Sequence, residues 1–216
     1  MIVKIKKGKI KMPNWCNNTI TIEHKDNVKI NEVINSLTTK KSEDSNENLF
    51  FPYCKPEPDY KTTPVAHTYP EINEQFAKTE EEKETARANE PTIRDDSWWD
   101  WRVQNWGTKW NIEVLGKDEI DINKNTITFS CDTAWSPPLE ALEGLEDKGF
   151  KVFCEYYEGG NAFVGRYETE TFDQSWNLPN TLAELKDMMK DDKVFKDLAE
   201  NWGIDYDYEE RESEEE

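Results

Sequence analysis

Apolar positions along this chain follow two rhythms. From Trp15 the period is two: Cys16, Asn18, Ile20 and Ile22 share one parity and Thr19, Thr21 and Glu23 the other, which predicts a strand with one inward face. Val28, Ile30, Val33, Ile34 and Leu37 then recur at helical spacing, behind Asp26 or Asn27 as the cap. The densest stretch is S-W-W-D-W-R-V-Q-N-W-G-T-K-W at 97–110, with five of the nine tryptophans. Trp99, Val103 and Trp106 stand at i, i+4 and i+7 on one helical face, Ser97 with Asp100 marks the start, and Gly107 marks a left-handed stop. Beyond Gly107, Trp110, Ile112 and Val114 alternate with Asn111 and Glu113 and predict a strand over 109–115. Each buried aromatic removes about 150–250 Å² from water, so Trp15, Trp99, Trp106, Trp110 and Trp135 are expected to anchor one core.

The same reading continues to the end of the chain. Residues 118–124 predict a turn, and 126–133 a strand with Ile127, Phe129 and Cys131 inward. Ser136-Pro137-Pro138 opens a helix lined by Leu139, Leu142 and Leu145 and closed by Gly149. Residues 150–157 and 162–169 form a hairpin about Glu158-Gly159-Gly160-Asn161. A helix over about 181–201 follows, carrying Leu182, Leu185, Met189, Phe195 and Leu198, and the acidic end after Tyr208 is expected to be disordered. Between the first helix and the tryptophans, residues 38–48 read as a polar loop. Residues 49–70 hold five of the ten prolines, and 71–90 read as a charged helix touching the domain through Ile72, Phe76 and Ala77.

Without the insertion, the order is β-α-β-β-α-β plus one edge strand. That predicts an α+β, ferredoxin-like antiparallel sheet with helices on one face. The divisions are a basic extension at 1–11 (an edge strand or a dispensable leader), a domain at 12–170 interrupted at about 38–96, a helical appendage at 171–204, and an acidic tail at 205–216.

Charge narrows the function classes. The 216 residues are 34% charged and 12% aromatic, with a formal net charge of −19. The first eleven residues carry five lysines and residues 205–216 eight acids against one arginine, so most of the acidity lies in the body. Such a surface repels phosphates and favours basic partners, so direct nucleic-acid binding is not expected. The acidity serves either solubility or imitation of a nucleic acid. Cys16, Cys54, Cys131 and Cys154 are scattered and read as small core residues in a reducing, cytoplasmic setting. No apolar run reaches membrane-spanning length, and no membrane partner is expected.

Three stretches together resemble a known family: M-P-N-W-C-N-N-T-I-T-I at 12–22, W-D-W-R-V-Q-N-W-G-T-K-W at 99–110, and T-A-W-S-P-P at 133–138 followed by E-Y-Y-E-G-G-N-A-F-V-G-R-Y at 155–167. They are similar to the YubB ferredoxin-like family of phage and plasmid proteins, over roughly residues 12–170. The resemblance implies a ferredoxin-like domain, a mobile-element origin and Met12 as the family-typical start. It brings no catalytic residues, and the absence of clustered cysteines argues against an iron–sulfur cluster.

Catalytic equipment is sparse. His24 and His67 lie far from the aromatic motifs, and neither a phosphate-cradling glycine loop nor a zinc-protease motif is present. Carboxylates are abundant enough that no pair stands out for a hydrolase. One constellation could form a ligand pocket: Trp101, Arg102, Asn105 and Lys109, with Asp132 and Ser136 at the second main helix and Tyr157 and Arg166 on the last strands. Indole faces would stack on a flat ligand, while Arg102 and the helix start hold an anion. Alternatively, Arg102 and Asp100 brace the core around the tryptophans. The expected function is non-enzymatic, without cofactor or metal: an accessory protein that binds a host protein with a basic surface. The alternative is a small-ligand or nucleotide-binding domain.

Overall fold

A computed structural model of the chain describes residues 14–70, 74–75 and 77–215. The basic stretch at 1–11, Met12, Ile72 and Phe76 lie outside the described residues. Six strands form one sheet: β1 (Trp15–Glu23), β2 (Ile120–Asn123), β3 (Thr126–Ala134), β4 (Lys151–Glu158), β5 (Phe163–Glu168) and β6 (Phe172–Asn177). Their spatial order is β2-β3-β1-β4-β5-β6, and every neighbouring pair is antiparallel. With the helices, this is a mixed α+β fold.

β1 sets the two faces of the sheet. Cys16, Asn18, Ile20 and Ile22 point to the near face beside Thr133, Cys131, Phe129 and Ile127 of β3 and Tyr156, Cys154 and Val152 of β4. That face packs on α1 (Asn27–Thr38), the short α2 (Phe50–Cys54), Trp106 of a later helix, and α5 (Leu139–Glu146). Asp26 caps α1 by accepting the Val28 N–H at 2.8 Å, a contact worth about 1 kcal/mol. Gly144 brings α5 against α2 so closely that a Cβ there would lie 2.5 Å from the Cys54 carbonyl oxygen.

In the insertion, α3 (Glu80–Ala88) begins with a capping box between Thr79 and Glu82 and ends at Asn89 in the left-handed region. It is shorter than the expected 71–90 helix and buries no side chain. α4 (Ser97–Trp106) follows and stops at Gly107, φ 78°, as expected.

Several expectations fail. Residues 109–115 are not a strand of the sheet. Asn48 N–H donates to Ile112 O at 3.0 Å, Val114 N–H to Asn46 O at 2.8 Å and Leu115 N–H to Leu37 O at 3.1 Å, while the buried Asn111 amide donates to Asn48 O at 2.7 Å. The alternation there serves pairing with the loop after α1. The second strand is instead β2, within the expected turn; it pairs Ile120 with Phe129 and Ile122 with Ile127 through a tight turn at Lys124, φ 49°.

At the other edge, the appendage begins with a sixth strand. β6 presents Trp176 beside Val164 of β5, and Tyr157 of β4 stands next in the same row. Over this far face lie α6 (Leu182–Asp191), α7 (Lys193–Asn201) and α8 (Ile204–Glu215), burying Val164, Leu185, Phe195, Leu198 and Ile204 in a second core. Helices therefore cover both faces. The expected single helix breaks at Asp192, whose carboxylate accepts the N–H groups of Val194 and Phe195 and starts a new one. The acidic end, expected to be disordered, is helical to Glu215.

Candidate functional site

The tryptophan helix places its side chains differently from their spacing. The buried positions of α4 are Ser97, Asp100, Arg102 and Trp106, and Trp99 is half-buried beside Tyr69 of the insertion. Trp106 alone of the five expected anchors is fully enclosed; its Nε1 donates to Lys55 O at 2.9 Å. Trp15 is 43% exposed and Trp135 40%, while Trp110 is half-buried. One shared tryptophan interior is therefore not what forms.

Charged groups fill the buried side of α4. Arg102 Nε donates to Glu57 Oε1 at 2.7 Å, and its guanidinium lies 4.7 Å from the Trp106 ring centroid and 5.3 Å from that of Trp98. Burial alone would raise the Glu57 carboxyl, but hydrogen bonds from Arg102, Lys41 and Tyr60 together with the Arg102 charge hold it below its ordinary value. Asp100 accepts the Thr68 N–H at 2.7 Å and pairs with Arg94 at 2.5 Å, fastening the insertion to the helix. This is the bracing alternative for Arg102: both of its faces and its charge are occupied.

The remaining candidates fall into four places. Trp101 packs edge-on against Trp106, and Asn105 donates back to Trp101 O at 2.9 Å, so both serve α4 itself. Tyr157 and Arg166 lie on the far face near the C-terminal helices: Tyr157 beside Trp202, and Arg166 bound to Glu155 at 2.6 Å. Ser136 donates its hydroxyl to Gly107 O and does not cap α5, whose N-cap position is Pro138. Lys109 and Asp132 stand beside the exposed Trp135 and Trp15.

That neighbourhood is built by the end of β3 and the segment after α4. Lys109 Nζ sits 3.8 Å from the Trp110 ring centroid and 4.0 Å from that of Trp135, and desolvation lowers its pKa. Trp110 meets Trp15 at 5.8 Å. Beside them opens a cleft of about 600 Å³ between Ser130–Cys131–Asp132 of β3 and residues 110–115, with Trp15, Trp110, Glu47, Glu113 and Asp132 in its lining. No lysine or arginine lines it. Asp132 also accepts the Asn17 amide at 2.7 Å and leads onto the uncovered part of the far face, where Thr21 and Thr128 hydroxyls meet at 2.9 Å.

Sequence reasoning missed Glu47 and Glu57, which lie in stretches without a periodic signal, and read Glu113 only as the outward residue of a strand. The four thiols are free; Cys16, Cys54 and Cys154 are buried, and burial together with the Glu158 charge pushes Cys16 up to about 12. Among the described residues, no group of three or more His, Cys, Asp or Glu side chains could hold a metal ion, and no helix is long and apolar enough to cross a membrane.

No protein-family model matches the chain, and no curated protein matches it. Among solved structures, the chain is similar to the crystal structure of protein api92 from Yersinia pseudotuberculosis, described by the family model DUF1281. The identity is 12%, with a TM-score of 0.37 over 78% of this chain and 99% of that one.

Proposed function

We propose that this protein acts without catalysis, by capturing a basic partner protein on its acidic surface at the cleft beside β3. The observation that carries the reading is the cleft lining: two indoles and the carboxylates of Glu113 and Asp132, with Glu47 beside them shared with Lys41 and Arg102, on a chain of net charge −19. Such a site attracts cations both by Coulomb forces and through the indole faces. Of the candidate cations, Arg102 and Arg166 are already held by Glu57 and Glu155, and Lys109 lies against the Trp110 and Trp135 rings and is not among the lining residues, which disfavours a nucleotide or other anion.

The biological setting belongs to the same proposal. The motif resemblance to YubB proteins supports a phage- or plasmid-type accessory protein acting on a host protein in the host cytoplasm. Reading the central β2-β3-β1-β4 strands, with α1 and α5, as a ferredoxin-like core is supported by their order and directions.

The test is a fluorescence titration of the exposed indoles with oligolysine and, separately, with ATP. Oligolysine is expected to change the emission at low salt and to lose its effect as salt rises. A response to ATP with none to oligolysine would replace this reading with the nucleotide-binding one.

A further inference from the structure

The outer edge of β3 is covered in two places and bare between them. β2 pairs with β3 only up to Ile120↔Phe129. At the far end, Ala134 N–H donates to Thr108 Oγ1 at 3.0 Å and Thr108 Oγ1 donates to Ala134 O at 3.2 Å, so one hydroxyl takes the place of a neighbouring strand. Ala134 therefore turns its backbone groups away from β1. In an antiparallel pair this direction repeats at every second residue, so the Asp132 N–H and C=O also face outward. Among the described residues, no backbone group bonds Asp132 across that edge. Those two groups open into the cleft.

A second observation indicates what the indole cluster accepts. Lys109 already lies against Trp110 and Trp135, so these rings hold an ammonium from their own chain. Trp15 and Trp110 form the adjoining wall, and Glu113 and Asp132 supply negative charge around the same space, whereas Glu47 is shared with Lys41 and Arg102. A free backbone donor and acceptor call for a peptide, and the indoles and carboxylates call for a cationic side chain on it.

We infer that the cleft takes a short extended segment of a partner protein as a partial added strand: its backbone bonds Asp132, and a lysine or arginine side chain enters among Trp15, Trp110, Glu113 and Asp132. This rests on the acidic-surface reading above and specifies its contact. Charge complementarity sets the sign of the partner, and the bare edge sets its extended conformation.

The experiment uses the full chain, amide-resolved NMR and three probe pentapeptides: acetyl-Lys-Val-Lys-Val-Lys-amide, the same peptide N-methylated at its central backbone nitrogen, and its Glu-for-Lys counterpart. The expected result is a shift of the Asp132 amide with the basic peptide, affinity about tenfold weaker after N-methylation, and no binding of the acidic peptide. Asp132→Pro removes the outward N–H without removing a backbone bond to β1. Because it also removes the carboxylate that accepts the Asn17 amide, it is compared with Asp132→Ala, and is expected to bind the basic peptide more weakly than Asp132→Ala while circular dichroism stays unchanged. If that variant does not fold, the N-methylated peptide alone decides. Equal binding of the two basic peptides, with shifts scattered over the acidic surface, would overturn the strand-addition inference and leave the acidic-surface reading standing. No binding of either at low salt would overturn both. Concentration-dependent shifts of the Asp132 amide without peptide would assign the cleft to a second copy of the chain, against the inference.

Discussion

Arg102 and Glu57, one on the tryptophan helix and one in the proline-rich insertion, meet at 2.7 Å in an ion pair that is mostly buried on both sides. The Trp106 ring lies under the same guanidinium. The pair fixes the insertion to the domain. Removing one partner of a buried pair costs about 3–5 kcal/mol where the other charge is left unpaired; here Lys41 still reaches Glu57 and Glu47 still approaches Arg102, so the lower end of that range is expected. Arg102→Ala is therefore expected to lower the urea midpoint by that order or to prevent folding, and Glu57→Ala to do the same. A stable, well-folded Arg102→Ala protein would return Arg102 to the list of ligand-binding candidates.

The pH dependence follows from two glutamates of opposite sign. Glu57 is held below its ordinary value, so its contribution is present above the usual carboxylate pKa, about 4.3, and is lost as pH falls through the folded value. Glu140 is raised, chiefly by burial and also by the Glu143 charge, so its contribution is present at low pH and lost as pH rises through its folded value. Glu140→Gln should then raise the melting temperature at pH 7 relative to wild type, with the advantage shrinking toward pH 4. Glu57→Gln should lower it at pH 7 and flatten the acid limb. Thermal melts across this range check both signs.

Gly107 carries two constraints at once. Its φ is +78°, and a Cβ there would fall within 2.9 Å of the Pro137 carbonyl oxygen and against the Glu140 carboxylate. Gly107→Ala is expected to cost about 1–2 kcal/mol from the left-handed backbone, with the contact adding to it, as read from denaturant midpoints.

The tryptophans divide by burial. Trp106→Ala should cost about 3–5 kcal/mol, whereas Trp135→Ala should change stability by about 1 kcal/mol or less. Acrylamide should quench much of the wild-type emission through Trp15, Trp98 and Trp135, which are at least a third exposed. Loss of most quenchable signal in a Trp15→Phe/Trp135→Phe protein would agree with that division.

Where one face of an element is buried and the other wet, the chain declares itself. β1, β3 and β4 follow their period-two pattern, and Val33 and Leu37 line the inner side of α1 as their spacing requires. The α4 helix was legible as a helix but not in orientation: aromatic spacing favours the Trp99–Val103–Trp106 side, whereas the ion pairs of Arg102 and Asp100 turn those charged positions inward. Their partners, Glu57 and Arg94, lie in the irregular insertion, where no periodicity marks them. Residues 109–115 show the converse case. Their alternation is real, but the two asparagines that divert the segment to the 46–48 loop look in sequence like ordinary outward polar residues. The cleft is invisible for the same reason: Glu47 and Glu113 face each other through an isolated bridge between distant stretches.

The most direct test of the functional account is calorimetric titration of the full chain with a lysine-rich peptide, beside the Glu113→Gln/Asp132→Asn protein, at low and high salt. The expected result is binding to wild type that weakens with salt, and affinity reduced at least about tenfold in the double variant, the scale of one lost charge-assisted contact. Equal affinity of the two proteins, or binding indifferent to salt, would contradict it.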